Sequence, residues 1–454
     1  MIKLIVFDYD GVIADCKEIH YESLNKALAL ISTEFIISKE DHISIYDGLS
    51  TKKKLSLLIN NKNLSADSAH TVYKNKQNFT LEMIEKYLSY DGRLVELLSR
   101  LKKENFLIYV ASNAIKETVN LGLSRLGVLE LFDKIYSNQD VKNQKPHPEI
   151  YLKCMIEAGV KPSETLVVED SKHGREAAIE AGAYVCGVDN PLDVTYEKIK
   201  KSVDNIKPSQ IKWAGRDTTI LVPMAGQGSR FQKEGYKLPK PLIDVGGKPM
   251  IQRVVENLNI DGNYIFVVQK EHYELYNLGI LLSLIAPNCK IIQSQNLTEG
   301  AACTTLLAKE FINNNDHLLI ANSDQFVEWD SNDFMYYMLA NQLDGGILSF
   351  KAYDSKWSFV KKNDLGFVTQ VAEKQIISDT ATVGIYYFNR GQEYVQYAEQ
   401  MISQDIRVNN EFYVCPVYNE YIRAGKKIKT QDCKSMWGLG TPNDLKYFLS
   451  NYKG

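Results

Sequence analysis

The sequence predicts an α/β protein built from two Rossmann-like parallel-sheet domains, the first with a helical cap inserted after its first strand. Three observations carry this reading. The chain has 454 residues, too many for one ordinary domain on a soft prior of roughly 150 residues each. Short β-branched or aromatic runs alternate with helical stretches in both halves, the pattern of sheets flanked by helices. The opening run KLIVFDYD has a counterpart at TTILVP, where a second domain is expected to begin near Thr218.

In the first half the expected strands are KLIVFDYD, FLIYVASN, KIYSNQDV and TLVVEDSK, each ending in polar residues. The segment from Ala14 to Tyr90 keeps mostly helical periodicity and is assigned to the cap, about residues 14–90. In the second half TTILVPMAGQGS, YIFVVQ, HLLIANSD and VGIYYF repeat the strand pattern. Between them, Tyr196 to Asp217 is charged, holds a Pro and a Gly, and loses apolar periodicity after its first helical turns, so the connection is expected there. The expected domains are 1–210 and 211–454.

Lys plus Arg total 53 against 56 Asp plus Glu, a net charge of -3. Without a basic field the chain lacks the electrostatic footprint of a nucleic-acid binder. No apolar run reaches the roughly 20 residues that cross a bilayer, and MIKLIVFDYD reads as a buried strand that reaches acid within eight residues, so no signal peptide is expected there. The seven cysteines form no CxxC pair, which fits reduced thiols and a cytoplasmic protein.

Asp8 and Asp10 lie two apart just past a buried strand, where alternation aims both side chains to one side. In open α/β sheets the carboxyl ends of strands form the ligand crevice. Three further strands are expected to deliver Ser112, Lys145 (in QKPHP) and Glu169-Asp170 to that edge. In the order DxDGV, hydrophobic-Ser-Asn, KP and EDS, residues 1 to 195 resemble the haloacid dehalogenase superfamily. The resemblance implies that Asp8 is a nucleophile forming an aspartyl-phosphate and Asp10 the general acid and base. It implies Mg2+ on Asp8, the Asp10 carbonyl and Asp170, with Glu169 directly or through water. Ser112 and Lys145 would bind the phosphoryl group. Ser112 and Lys145 are 33 residues apart, too close for a second cap. DGVIADCKEIH and EDSKHGREAAIEAGA look most like the β-phosphoglucomutase-like branch, which holds mutases and small-molecule phosphatases. His20 matches a cap-hinge histidine of that branch, whereas the cap loop Asp47 to Lys52 lacks the mutase's arginine.

Gly226, Gly228, Ser229 and Arg230 follow the strand TTILVPM, and glycines are needed where backbone N–H groups approach a triphosphate. With Pro239-Lys240-Pro241-Leu242 and Gly247-Lys248-Pro249-Met250, residues 218 to 450 resemble the sugar-phosphate nucleotidyltransferase family. A dinucleotide site would want a third Gly and an acid after the second strand, which ends instead in Gln269-Lys270. The resemblance implies in-line attack by an acceptor phosphate on a nucleoside triphosphate without a covalent intermediate, so that positioning and charge compensation carry catalysis. Gly226, Gly228 and Ser229 would cradle the triphosphate, and Arg230 and Lys240 would stabilise its charge. Asp324 would hold Mg2+, and Gly300 would pack the base. Glu373, Lys374 and Gly384 would line the acceptor pocket. Trp437 to Pro442 shows Gly where many members carry a second metal carboxylate, and Glu411 is the candidate substitute.

The chain is therefore expected to be a bifunctional Mg2+-dependent enzyme: a capped phosphohydrolase fused to a nucleotidyltransferase. The transferase would act on a nucleoside triphosphate (CTP or UTP) and a sugar or polyol phosphate, toward a capsule or other surface polysaccharide. The alternatives are that the first half is a sugar phosphomutase supplying the second, or that one half is a binding or regulatory module.

Overall fold

A computed structural model describes residues 1–46, 49–206 and 213–452. The chain divides into two compact units, Met1–Ile211 and Lys212–Gly454. In the expected connection, Tyr196–Asp204 is a helix that buries Ile199 and belongs to the first unit. Residues 207–212 of that stretch lie outside the described residues.

The first unit holds a five-stranded sheet: β1 (Leu4–Phe7), β2 (Leu107–Ala111), β3 (Lys134–Tyr136), β4 (Thr165–Glu169) and β5 (Tyr184–Gly187). Their order is β3-β2-β1-β4-β5 and every pair is parallel. β1 is central and wholly buried, which explains why LIVF is a continuous apolar run and not an alternating one. The cap follows β1, with helices Lys17–Ala29, Thr51–Lys62 and Ala66–Tyr87. It has its own core of Leu24, Leu28, Leu55, Leu58 and Val72. Asp47 and Gly48 of the cap loop lie outside the described residues.

In the second unit β6 (Trp213–Pro223) starts ahead of the expected Thr218. It is followed by β7 (Ile260–Gln269), β8 (Lys290–Ser294) and β9 (His317–Ala321), and these four pair in parallel in the order β9-β6-β7-β8. The rest of the sheet departs from an all-parallel reading. β10 (Gln325–Glu328) leaves the main sheet and pairs with a late strand described below. β11 (Gly345–Lys351), β12 (Ser358–Lys362), β13 (Val368–Glu373) and β14 (Thr380–Phe388) extend the sheet through antiparallel pairs, β14 lying against β9. β15 (Ile428–Asp432) adds to β11 in parallel, and β16 (Ser435–Gly438) pairs with β10. Short connections such as 363–367 between β12 and β13 force the antiparallel direction, since a parallel return needs a crossover of a dozen or more residues.

Candidate active sites

In the first unit all five carboxyl strand ends face one edge, and the motif residues sit on it. The parallel ladder runs one residue past β1, the Asp8 amide donating to the Val168 carbonyl at 3.0 Å. Gly11 then turns with φ +83°, and a Cβ there would stand 2.2 Å from Asp170 Oδ2. Only glycine permits both the left-handed turn and that approach.

Lys145 ties the edge together. Its ammonium donates to Asp8 Oδ1 at 2.6 Å, to the Ala111 carbonyl at 2.8 Å and to Glu169 Oε1 at 3.0 Å. Asn113 holds the Lys145 backbone from both sides, accepting from its amide at 3.1 Å and donating to its carbonyl at 3.3 Å. Burial, which alone would discharge Lys145, is outweighed by Asp8 and Glu169, so its ammonium stays charged well above the ordinary range. Glu169 also accepts from the Tyr151 hydroxyl at 3.2 Å and from the Ser171 amide at 2.9 Å. Ser112 is buried beside Ala111, its Oγ accepting from the Ala114 amide at 3.0 Å.

One oxygen each from Asp8, Glu169 and Asp170 lies within 4.8 Å of the others. Asp170 Oδ1 is buried with no hydrogen-bond partner. Burial pushes the Asp8 carboxyl well up, Lys145 opposing and Glu169 and Asp10 adding to it. Crowded hard oxygens with an orphan among them suit a hard divalent cation.

Asp10 faces the cap instead. His20 Nε2 stands 3.1 Å from Asp10 Oδ1, and Lys76 Nζ stands 3.1 Å from His20 Nδ1. An ammonium can only donate, so His20 accepts at Nδ1 and donates from Nε2 to Asp10. Burial, followed by Lys76, holds His20 below its ordinary pKa and therefore neutral. Burial works to raise Asp10, but His20 and Lys76 together hold its carboxyl below the usual range. Sequence reasoning missed Lys76 and Tyr151, and had Asn113 in its Ser-Asn motif without a role. Lys76 had a signal: it lies on the buried stripe Val72, Lys76, Thr80, Ile84, where an ammonium needs a reason to be.

In the second unit a cleft of about 840 Å3 gathers every residue given a substrate or metal role there, from Gly226 to Glu411, while the Gly247 to Met250 motif lies outside its lining. Gly226, Gly228, Ser229 and Arg230 form its floor beyond β6, with Gln269 Nε2 donating to the Ala225 carbonyl at 2.8 Å to steady the loop. Lys240 ion-pairs with Asp324, which follows β9. The Asn322 amide donates to the Gly384 carbonyl at 2.9 Å, and a Cβ on Gly384 would stand 2.2 Å from Asn322 Nδ2. A Cβ on Gly440 would come within 2.9 Å of Asp324 Oδ2, so glycine there leaves room around that carboxylate.

At the other end Glu373 accepts from the Ser358 hydroxyl, and Lys374 donates to the Tyr413 hydroxyl. Burial raises the Glu373 carboxyl, with Ser358 and Lys374 opposing and Glu411 adding to it. Glu411 thus stands with Glu373 and Tyr413, in the same cleft as Asp324. Its register explains the placement: in Glu411-Phe412-Tyr413 alternation turns Glu411 and Tyr413 to one side. Asp324 alone with substrate phosphates still suits Mg2+, which commonly uses one or two carboxylates plus phosphate oxygens. Sequence reasoning missed Tyr413, and also Lys356 and Trp357, which line the same cleft.

Among known proteins, residues 5–188 match the family described as haloacid dehalogenase-like hydrolase, and residues 220–446 match nucleotidyl transferase. The phosphorylated carbohydrates phosphatase of Thermotoga maritima is 26% identical over 181 residues, 40% of this chain and 82% of that one. The β-phosphoglucomutase of Bacillus subtilis is 27% identical over 194 residues, 41% of this chain and 83% of that one. A nucleoside-diphosphate-sugar pyrophosphorylase structure from Vibrio cholerae is similar with a TM-score of 0.45 and 25% identity, covering 51% of this chain and 100% of that one. Among the described residues no helix is long and apolar enough to cross a membrane.

Proposed function

Because the chain belongs to the nucleotidyl transferase family over residues 220–446 and carries a haloacid dehalogenase-like hydrolase domain over residues 5–188, we propose that it joins an Mg2+-dependent phosphatase of small phosphorylated metabolites to an Mg2+-dependent transferase. The transferase would make a nucleotide-activated sugar or polyol from CTP or UTP, for a surface polysaccharide.

The observation that carries the first activity is Lys145 bridging Asp8 and Glu169 on the edge that also holds Asp170. Asp8 attacks phosphorus, and Lys145 and Ser112 offset and orient the phosphoryl oxygens. Bound Mg2+, held by Asp8, Asp170, the Asp10 carbonyl and Glu169, would neutralise the charge that otherwise repels the nucleophile. Asp10, ionised beside His20 and Lys76, takes up a proton from solvent as substrate binds, gives it to the leaving oxygen and then takes one from the incoming hydroxyl, with neutral His20 setting its direction. That link from Asp10 through His20 to Lys76 of the cap favours a second reading, a phosphomutase, in which the incoming hydroxyl belongs to a sugar. Water as acceptor releases inorganic phosphate and a sugar hydroxyl does not, so phosphate release from a panel of sugar phosphates, with and without a bisphosphate primer, decides between them. No turnover of any phosphorylated compound by the folded chain would sink both.

For the second activity Gly226, Gly228 and Ser229 offer backbone amides to the triphosphate. Arg230 and Lys240 follow charge onto the departing pyrophosphate, and Lys240 exchanges its bond to Asp324 for phosphate oxygens. Gly300 receives the base. At the acceptor end Glu373 and Glu411 beside Tyr413 offer hydrogen-bond acceptors to hydroxyl-rich substrates, which supports a sugar or polyol phosphate.

A further inference from the structure

In the second unit the nucleotide loop and the acceptor wall meet at Phe412. Its amide donates to the Glu299 carbonyl at 2.8 Å and its carbonyl accepts from the Ala302 amide at 2.9 Å, so it pairs with both sides of Gly300. A Cβ on Gly300, whose φ is +132°, would stand 2.4 Å from the Phe412 carbonyl oxygen. Phe412 lies between Glu411 and Tyr413, which both line the cleft.

What holds this segment in place is a built hairpin. Val408 and Glu411 exchange two backbone hydrogen bonds of 3.0 Å around Asn409 and Asn410, with φ of 50° and 63°. That is the two-residue turn with both central residues left-handed, for which asparagine is suited. Arg407 closes it: its guanidinium lies 4.1 Å from the Phe412 ring centroid and pairs with Asp405 and with Glu299, the residue before Gly300. A planar fork can serve two carboxylates and stack on a ring at once, which an ammonium cannot.

We propose that Arg407 is a positioning residue for nucleotide transfer, clamping Phe412 onto the Gly300 loop so that the base pocket is preformed and the acceptor wall is fixed to it. This rests on the transferase reading of the same cleft. Arg407 is not among the residues that line the cleft, so its effect must travel through Glu299 and Phe412.

The test uses the full chain with CTP, UTP and inorganic pyrophosphate as probes, each with Mg2+. Pyrophosphate engages the Gly226 to Arg230 loop and Lys240 but has no base. Arg407→Ala should weaken binding of whichever nucleotide binds wild type by about tenfold and leave pyrophosphate affinity unchanged. Amide exchange should rise in 298–302 and 405–413. Arg407→Lys should recover only part of the affinity, and Glu299→Gln should give a similar loss that is not additive with Arg407→Ala. Equal weakening of nucleotide and pyrophosphate would reduce Arg407 to general support of the cleft and overturn the proposal. Wild-type nucleotide affinity or unchanged exchange in Arg407→Ala would overturn it also. A wild-type chain that binds no nucleotide would count against the transferase reading itself, and the exchange of 298–302 would still decide the clamp.

Discussion

Glycine to alanine inside a helix ordinarily stabilises by about 1 kcal/mol, and Gly174, in the helix Lys172–Glu180, should do the reverse. A Cβ there would fall 1.6 Å from Glu169 Oε1 and 2.0 Å from Glu169 Cδ. Glu169 is fully buried and held by Lys145, Tyr151 and Ser171. It cannot withdraw without breaking a buried, hydrogen-bonded charge cluster, a change that costs about 3–5 kcal/mol. Subtracting the helical gain leaves Gly174→Ala destabilised by about 2–4 kcal/mol. The units can be followed separately, because all four tryptophans, Trp213, Trp329, Trp357 and Trp437, lie in the second. In urea, far-UV circular dichroism should show an earlier first transition, while tryptophan fluorescence keeps its midpoint. Phosphate release should fall with the first. A Gly174→Ala protein that gains stability and keeps phosphatase activity would refute the packing of Glu169 described above, and with it the placing of the metal edge.

Asp8→Asn and Asp10→Asn should each abolish phosphate release and leave pyrophosphate release from the transferase unchanged, as read by parallel assays on one preparation. Lys76 is held down to about 8 from 10.5 by burial, worth on the order of 3 kcal/mol at about 1.4 kcal/mol per unit. Its folded pKa is the lower one, so the cost is full below pH 8 and fades as pH climbs to 10.5. Urea stability of wild type should therefore gain on Lys76→Met between those pH values, and parallel curves would contradict the burial of that charge. Lys240→Ala and Asp324→Ala should each lower transferase turnover at least about a hundredfold. Glu411→Ala should instead raise the KM for the acceptor with Mg2+ dependence unchanged, and a shifted Mg2+ requirement would return it to the metal.

The chemistry at the strand ends was legible because a buried apolar run that stops in Asp, Ser or Glu brings a polar group to the sheet edge where ligands bind. Asp8, Ser112 and Glu169 were found that way, as was Asp324. What was not legible depends on contacts distant in sequence. Lys145 was assigned to phosphate from its motif, but its threefold bond to Asp8, Ala111 and Glu169 requires three strands to meet. The strand Tyr184–Gly187 is short and only part-buried, so periodicity had little to show. The antiparallel extension from β11 to β14 was read only at its last strand, since β12 and β13 are short and partly exposed and show no continuous apolar run. Asn409-Asn410 was a readable hairpin signal, and reading it would have set Glu411 beside Tyr413.

The most direct test of two chemistries in one chain is pyrophosphate release in an Asp8→Asn background, where the phosphatase cannot consume the acceptor. Each nucleoside triphosphate would be offered with each member of a panel of sugar and polyol phosphates. One pairing, with CTP or UTP, should release pyrophosphate in step with a nucleotide-linked product, and Lys240→Ala should remove both. A folded protein that binds nucleotide yet releases no pyrophosphate with any acceptor would contradict two chemistries and leave the second unit a binding module.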